Sequence, residues 1–240
     1  MGPAAEAITA WEALTEPFRL AFEQAWHSWC EGNLGIGAVL SEPTTGEIVS
    51  IGRNRVHGNP STDEALSGNF MAHAEMNAFA AMDRFRADGL HLFTTLEPCV
   101  MCAATGLFLH VGHVHYAAAD EYFDELDDLW DAHPYTRRHR PPRTGPLPGP
   151  LAALARVLPL SVVAGRDPND SVMVKARTAS PAVAALALEL ASDGTLEAVR
   201  AGRDPDGGGA LDVLVALWAR TASRVPSDAN SRASAATAGL

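Results

Sequence analysis

The sequence predicts an α/β fold, with a sheet of short strands flanked by helices and a helical extension behind it. Three observations lead there. Between Leu14 and Ala117, segments with apolar residues spaced three and four apart alternate with apolar runs of strand length. At 240 residues the chain can bury a sizeable core, as one large domain or one domain with an extension. Pro181 to Gly202 and Ala210 to Arg224 are alanine- and leucine-rich, separated by the turn-forming run Asp204-Pro205-Asp206-Gly207-Gly208-Gly209, and read as two further helices.

Taken in order, Leu14, Phe18, Ala21, Phe22, Ala25 and Trp29 mark an amphipathic helix from Leu14 to Cys30. Ile36 to Leu40 and Glu47 to Ile51 flank the turn signal Pro43-Thr44-Thr45-Gly46 and read as a hairpin. His73 to Phe85, with Ala78, Ala81, Met82 and Phe85 on one side, reads as a helix carrying His73 and Glu75 in its first turn. Leu90 to Leu96 is a buried strand running into Glu97-Pro98. Cys99 to His110 is apolar around most of its circumference, which predicts a helix buried in the core with both cysteines in its first turn. Val111 to Ala117 gives another strand. Then come Asp120, Glu121, Asp124, Glu125, Asp127 and Asp128 ahead of Trp130, a proline-rich run to Pro150, and an isolated strand candidate at Leu158 to Val163. The small, polar tail from Pro226 is expected to be disordered.

Charge limits the partners. With 18 basic and 29 acidic residues the formal net charge is -11, and such a chain repels a phosphate backbone, so nucleic acid is not the expected partner. Arg137-Arg138-His139-Arg140 with Arg143 is the one basic cluster that works against this, and it reads as a solvated loop balancing neighbouring acids. There is no apolar run of membrane-spanning length and no basic-then-apolar signal segment at the N-terminus, so a cytoplasmic location and no membrane association are expected. The three cysteines offer no disulfide framework.

The chemistry sits in His73-Ala74-Glu75 and Pro98-Cys99-Val100-Met101-Cys102. One imidazole and two thiolates, from His73, Cys99 and Cys102, leave a tetrahedral zinc ion a fourth position for water, and Glu75 is a carboxylate free to move that water's proton. A lone Cys-x-x-Cys would fit a redox pair or half of a structural zinc site equally well. A structural site needs a fourth protein ligand, however, and Cys30 lies in a different amphipathic stretch. Helix starts at these motifs would favour thiolate over thiol and could aim a backbone N–H at a developing oxyanion.

Leu34 to Leu40, Gly52-Arg53-Asn54, His73 to Ala78 and Thr95 to Ala103 together resemble the cytidine deaminase superfamily, with its H-x-E…P-C-x-x-C pattern. The match is closest to the guanine, guanosine and tRNA adenosine deaminase branch, since cytidine deaminases proper usually place a cysteine where His73 stands. It covers about residues 15 to 120 and fades afterwards. The resemblance implies a three-layer fold around a central mixed sheet of about five strands, zinc as cofactor, and a homodimer. It also implies a fifth strand soon after the fourth. Leu158 to Val163 is therefore taken as that strand, delayed by an acidic and proline-rich insertion at about 119–157. The deaminase domain then spans 1–177, followed by a helical extension over 178–225 and the tail over 226–240. The resemblance further assigns Asn54 a substrate contact, and it makes Asp120 and Asp124 candidates for a second proton transfer or an amino-group contact.

Two other features stand out in the sequence. His110, His113 and His115 read as a helix-terminal histidine and two same-face strand residues in preference to a second metal site. Gly58 to Ala72 looks like an insertion close to the pocket, either shaping the substrate or merely tolerated. Three functions fit the whole. They are hydrolytic deamination of a free nucleobase or nucleoside, with guanine or guanosine preferred over a cytosine-type or modified base; a tRNA adenosine deaminase; and a noncatalytic zinc-stabilised binding protein, which the presence of Glu75 disfavours.

Overall fold

The computed structural model describes residues 2–60, 66–123, 126–202 and 209–224. The tail from Pro226 and the candidate Asp124 lie outside them. A five-stranded mixed sheet runs in the order β2-β1-β3-β4-β5, with β1 at Gly37–Ser41, β2 at Ile48–Arg53, β3 at His91–Leu96, β4 at His113–Ala118 and β5 at Arg143–Thr144. β1 pairs antiparallel with β2 and β3, whereas β3, β4 and β5 run parallel. Every residue of β1 is buried, as expected of a strand with neighbours on both edges and helices on both faces.

Helix α2 (Glu16–Cys30) lies on one face and α3 (Ala74–Ala80) on the other, and two glycines let them approach closely. A Cβ at Gly37 would overlap the Ala21 carbonyl of α2, and one at Gly52 would overlap the Ala74 carbonyl and the Ala78 amide of α3. Thr15 enters α2 in an extended conformation, with Glu16 and Pro17 in the first turn. The stripe Phe18, Ala21, Phe22, Ala25 and Trp29 is buried as its spacing predicts. Helix α4 (Val100–Phe108) follows β3 directly.

Three expectations fail. Leu158 to Val163 is no strand; it lies inside helix α7 (Pro150–Arg166), which is buried on most sides. A continuous apolar run fits a buried helix and a buried strand equally, and Pro150 at the first turn with Ala152, Ala153 and Ala155 decides for the helix. The actual fifth strand is two residues long, hidden in the proline-rich run. The helix after His73 stops at Ala80, so Phe85 is 94% exposed, because the chain turns back towards β3 and Arg84 is drawn to Glu42 in the β1–β2 turn. Helix α4 is also not wrapped by the core. Val100 and Phe108 are exposed, and the Phe108 ring lies against Tyr135 of α6 (Pro134–His139).

The segment after β4 folds as a 3-10 turn (Glu121–Phe123), α5 (Leu126–Asp131), α6 and β5 before entering α7. Arg140 and Arg143 of the basic cluster pair with Asp127, Asp131 and Glu97. Beyond α7 come α8 (Ser171–Ala179), α9 (Pro181–Leu190), α10 (Thr195–Ala201) and α11 (Ala210–Ala222). Leu186, Leu190, Leu196, Val213, Leu214 and Leu217 join the same buried cluster as Val39, Leu92 and Val114 of the sheet. The Glu23 carboxylate of α2 accepts from the Gly209 and Ala210 amides at 3.1 and 3.2 Å, capping the positive end of α11. Trp218 donates to Glu6 of α1 (Pro3–Glu12) at 3.2 Å. No helix among the described residues is long and apolar enough to cross a membrane.

With the extension sharing one core, Leu217→Ala should cost about 2–5 kcal/mol in urea unfolding. The unfolding should remain a single transition followed by both tryptophan fluorescence and circular dichroism; a separate early transition would show that the C-terminal helices fold as their own unit.

Candidate active site

His73 and Cys99 each occupy the N-cap of a helix, α3 and α4, with extended backbone angles, and Cys102 follows within the first turn of α4. The side chains converge where β3 ends. His73 Nδ1 lies 3.6 Å from Cys99 Sγ and 3.5 Å from Cys102 Sγ, and the two sulfurs are 3.7 Å apart. A tetrahedral zinc ion with ordinary bond lengths requires N···S of about 3.6 Å and S···S of about 3.8 Å. The donor set and its spacing therefore fit zinc.

The thiols are already unequal. The hydrogen bond to Cys102 holds Cys99 down to about 4, against the opposing effect of burial, and His73 adds to the pull. The same hydrogen bond, together with burial, pushes Cys102 well above its ordinary value. Burial works against a charged His73, but the hydrogen bond to Cys99 and the charge of Glu75 outweigh it and raise the imidazole.

Glu75 is buried beside these ligands and accepts a hydrogen bond from Thr94 Oγ1 of β3 at 3.1 Å. Burial raises its carboxyl above the usual range. Helix α3 is fixed from the other side by Asn77, whose amide donates to the Arg53 and Leu66 carbonyls and accepts from the Leu66 amide. That clamp also ties down Leu66, within the Gly58 to Ala72 segment. Its Phe70 stands edge-on to His73 at 5.8 Å, 79% exposed at the cavity mouth.

Asn54 is fully buried at the end of β2 and lines the same cavity. Its Oδ1 accepts from the Val56 amide at 3.2 Å. Since a backbone N–H can only donate, this contact fixes the orientation of the side-chain amide. Nδ2 is then left buried without a hydrogen-bond partner.

The cavity has a volume of about 380 Å³ and contains His73, Glu75, Cys99, Asn54 and Asp120. Of the seven residues singled out in the sequence, Cys102 sits behind this wall among the ligands, and Asp124 lies outside the described residues. Asp120 is ion-paired with Arg156 of α7 at 3.4 Å and accepts from the Tyr122 amide at 3.0 Å. Burial raises Asp120, and Arg156 opposes that shift. Arg156 also pairs with Glu121 at 2.8 Å.

Sequence reasoning missed Arg156 and the far wall of the cavity, formed by Pro159, Leu160 and Val163 of α7 with Asp170 to Val172 at the start of α8. A buried arginine within an apolar helix was the available signal. His110 stands apart from His113 and His115, beside Asp88 at 3.5 Å, as the same-face strand reading of the other two required.

Residues 12–118 match the family model of the cytidine and deoxycytidylate deaminase zinc-binding region, ending at the last residue of β4. A tRNA-specific adenosine deaminase of Streptococcus pyogenes serotype M1 is 31% identical over 110 residues, covering 46% of this chain and 61% of the relative. The tRNA-specific adenosine deaminase of Bacillus subtilis (strain 168) is 35% identical over 104 residues, 42% and 58% of the two chains. The chain thus spans about six tenths of the length of the curated relatives it matches. Among solved structures, a guanine deaminase from Nitrosomonas europaea shares 20% identity at a TM-score of 0.46, over 62% of this chain and 83% of that one.

The purified protein should carry zinc at this site and release it as pH falls, because each ligand must be deprotonated to bind. Cys102→Ala should lose most of the zinc bound by the thiolate set, measured by atomic emission. Undiminished zinc in that variant would rule out the ligand assignment.

Proposed function

We propose, for a chain whose residues 12–118 belong to the cytidine deaminase superfamily, that the cavity hydrolytically removes the exocyclic amino group of a free nucleobase or nucleoside. A guanine or guanosine type is preferred, and ammonia is released. The observation that carries this reading is the buried, unligated Glu75 beside the His73, Cys99 and Cys102 set in one walled cavity. Zinc held by those three residues would supply Lewis acidity that makes water nucleophilic near neutral pH.

The remaining steps belong to the chain's own side chains. Glu75 takes one proton from the water and passes it to the ring nitrogen next to the attacked carbon; it then takes the second proton from the hydroxyl now on that carbon and gives it to the departing amine, so that ammonia leaves as the carbonyl forms. The hydrogen bond from Thr94 fixes the carboxylate for that shuttle. Asn54 Nδ2 donates to a carbonyl or ring-nitrogen acceptor of the base, satisfying a donor that is otherwise buried without a partner. Asp120, held by Arg156, offers an acceptor for an amino group.

A small substrate is supported by the far wall. α7 and α8 close over the cavity on the side opposite the metal ligands, and a net charge of -11 discourages a polyanion. The tRNA-specific activity named for the curated relatives supports a second reading, adenosine deamination in tRNA. The homodimer implied by the sequence resemblance fits the exposed Val100 and Phe108 of α4 and remains part of the proposal.

Glu75→Ala should keep its zinc and lose activity by about 100-fold to 10,000-fold. Unchanged turnover would remove the mechanism, and lost metal would make Glu75 structural. Incubating the protein with free bases, nucleosides and a tRNA stem-loop while measuring ammonia should show turnover of a base or nucleoside. Inosine in the stem-loop, with tight binding by gel shift, would establish the second reading instead.

A further inference from the structure

A second set of metal-type ligands lies at the opposite end of the sheet. His113 and His115 are two apart on β4, so their side chains share a face, and His91 is the register partner of His113 on β3. That face is the one away from Glu75. Phe93, two residues from His91, packs edge-on against Phe18 of α2 at 5.1 Å, whereas Thr94, pointing the other way, reaches Glu75. Along β3, His91 is separated from the end of the strand at Leu96 by roughly 16 Å, and His115, level with Phe93, by roughly 10 Å.

One ligand nitrogen from each of the three histidines falls within 4.8 Å of the others. His115 Nε2 is 3.2 Å from His91 Nδ1, close to the N···N spacing of about 3.3 Å that two imidazoles on a tetrahedral ion require. The rings are held in place. His113 stacks on His115 at 4.2 Å, and Phe93 covers the His115 ring at 4.4 Å. Thr144 Oγ1 of β5 lies 2.8 Å from His113 Nε2, leaving the other ring nitrogen available, which is how a neighbouring group usually orients a ligating histidine. All three are partly exposed, so an ion and its waters can reach them.

We propose that His91, His113 and His115 form a second divalent metal site of the zinc, cobalt and nickel class, completed by water and fastening the starts of β3 and β4 together. An all-imidazole set with no carboxylate selects these ions over magnesium and calcium. Three nitrogens would also set it apart spectroscopically from the thiolate site.

The test is a titration of the chelator-stripped full chain with cobalt(II). Wild type should take up about two equivalents, only one of which develops thiolate-to-cobalt charge-transfer absorption. His113→Asn and, separately, His91→Asn should each remove one equivalent and leave the charge-transfer band intact. Cys99→Ser with Cys102→Ser should remove the band and leave one equivalent with ligand-field absorption alone. In wild type, zinc added beyond the first equivalent should raise Tm, and it should no longer do so in His113→Asn. A single equivalent in wild type, or a second that survives both histidine substitutions, would overturn the proposal and leave a hydrogen-bonded pair of neutral imidazoles. Because the band reports the thiolate site alone, failure of the histidine site and failure of the deaminase reading are distinguishable.

Discussion

The site depends on how closely α3 lies on the sheet. At Gly52 the helix backbone occupies the space a side chain would fill, so Ala74 and Ala78 rest directly on β2. That contact fixes the height of His73 and Glu75 above the sheet. Cys99 and Cys102 arrive independently, from the end of β3, and the ligand spacing is met only if both heights agree within a few tenths of an ångström. Asn77 completes the constraint by bonding to Arg53 on one side and Leu66 on the other, so the helix that bears the acid also organises the loop beside it.

Much of the sheet was legible because its strands carry local signals. The hairpin has its turn residues, and β3 and β4 have apolar runs of strand length bounded by glycine and proline. α7 is ambiguous in the sequence because a run buried on most sides loses the periodicity that separates the two kinds of element, although Pro159 argues against a central strand. β5 has no local signal at all. Two residues pair with β4 only because the chain on either side holds them there.

The site divides along the same line. His73, Glu75, Cys99 and Cys102 lie in two short motifs whose spacing is itself the chemistry, so a sequence suffices to propose them. Asn54 was named from resemblance, and its unpartnered amide nitrogen adds a physical reason. Arg156 and the far wall come from more than a hundred positions later than Asn54, where no spacing rule reaches. His91 joins His113 and His115 only through strand register, which sequence leaves open.

Arg156 joins the site to the C-terminal helices. It pairs with both Asp120, which lines the cavity, and Glu121, and Glu121 in turn is bonded by Ser180 at the start of α9. Loss of one partner from a buried ionic group costs about 3–5 kcal/mol, so this triad strongly resists change. The apolar residues around it, Leu160, Val163 and Val172, face the same cavity without bearing any charge. They also lie outside the 12–118 segment that carries the ligands. The cavity is therefore closed by two distant stretches of the polypeptide, and a change in α7 or α8 can reshape the space in front of the ligands without touching a residue that positions them.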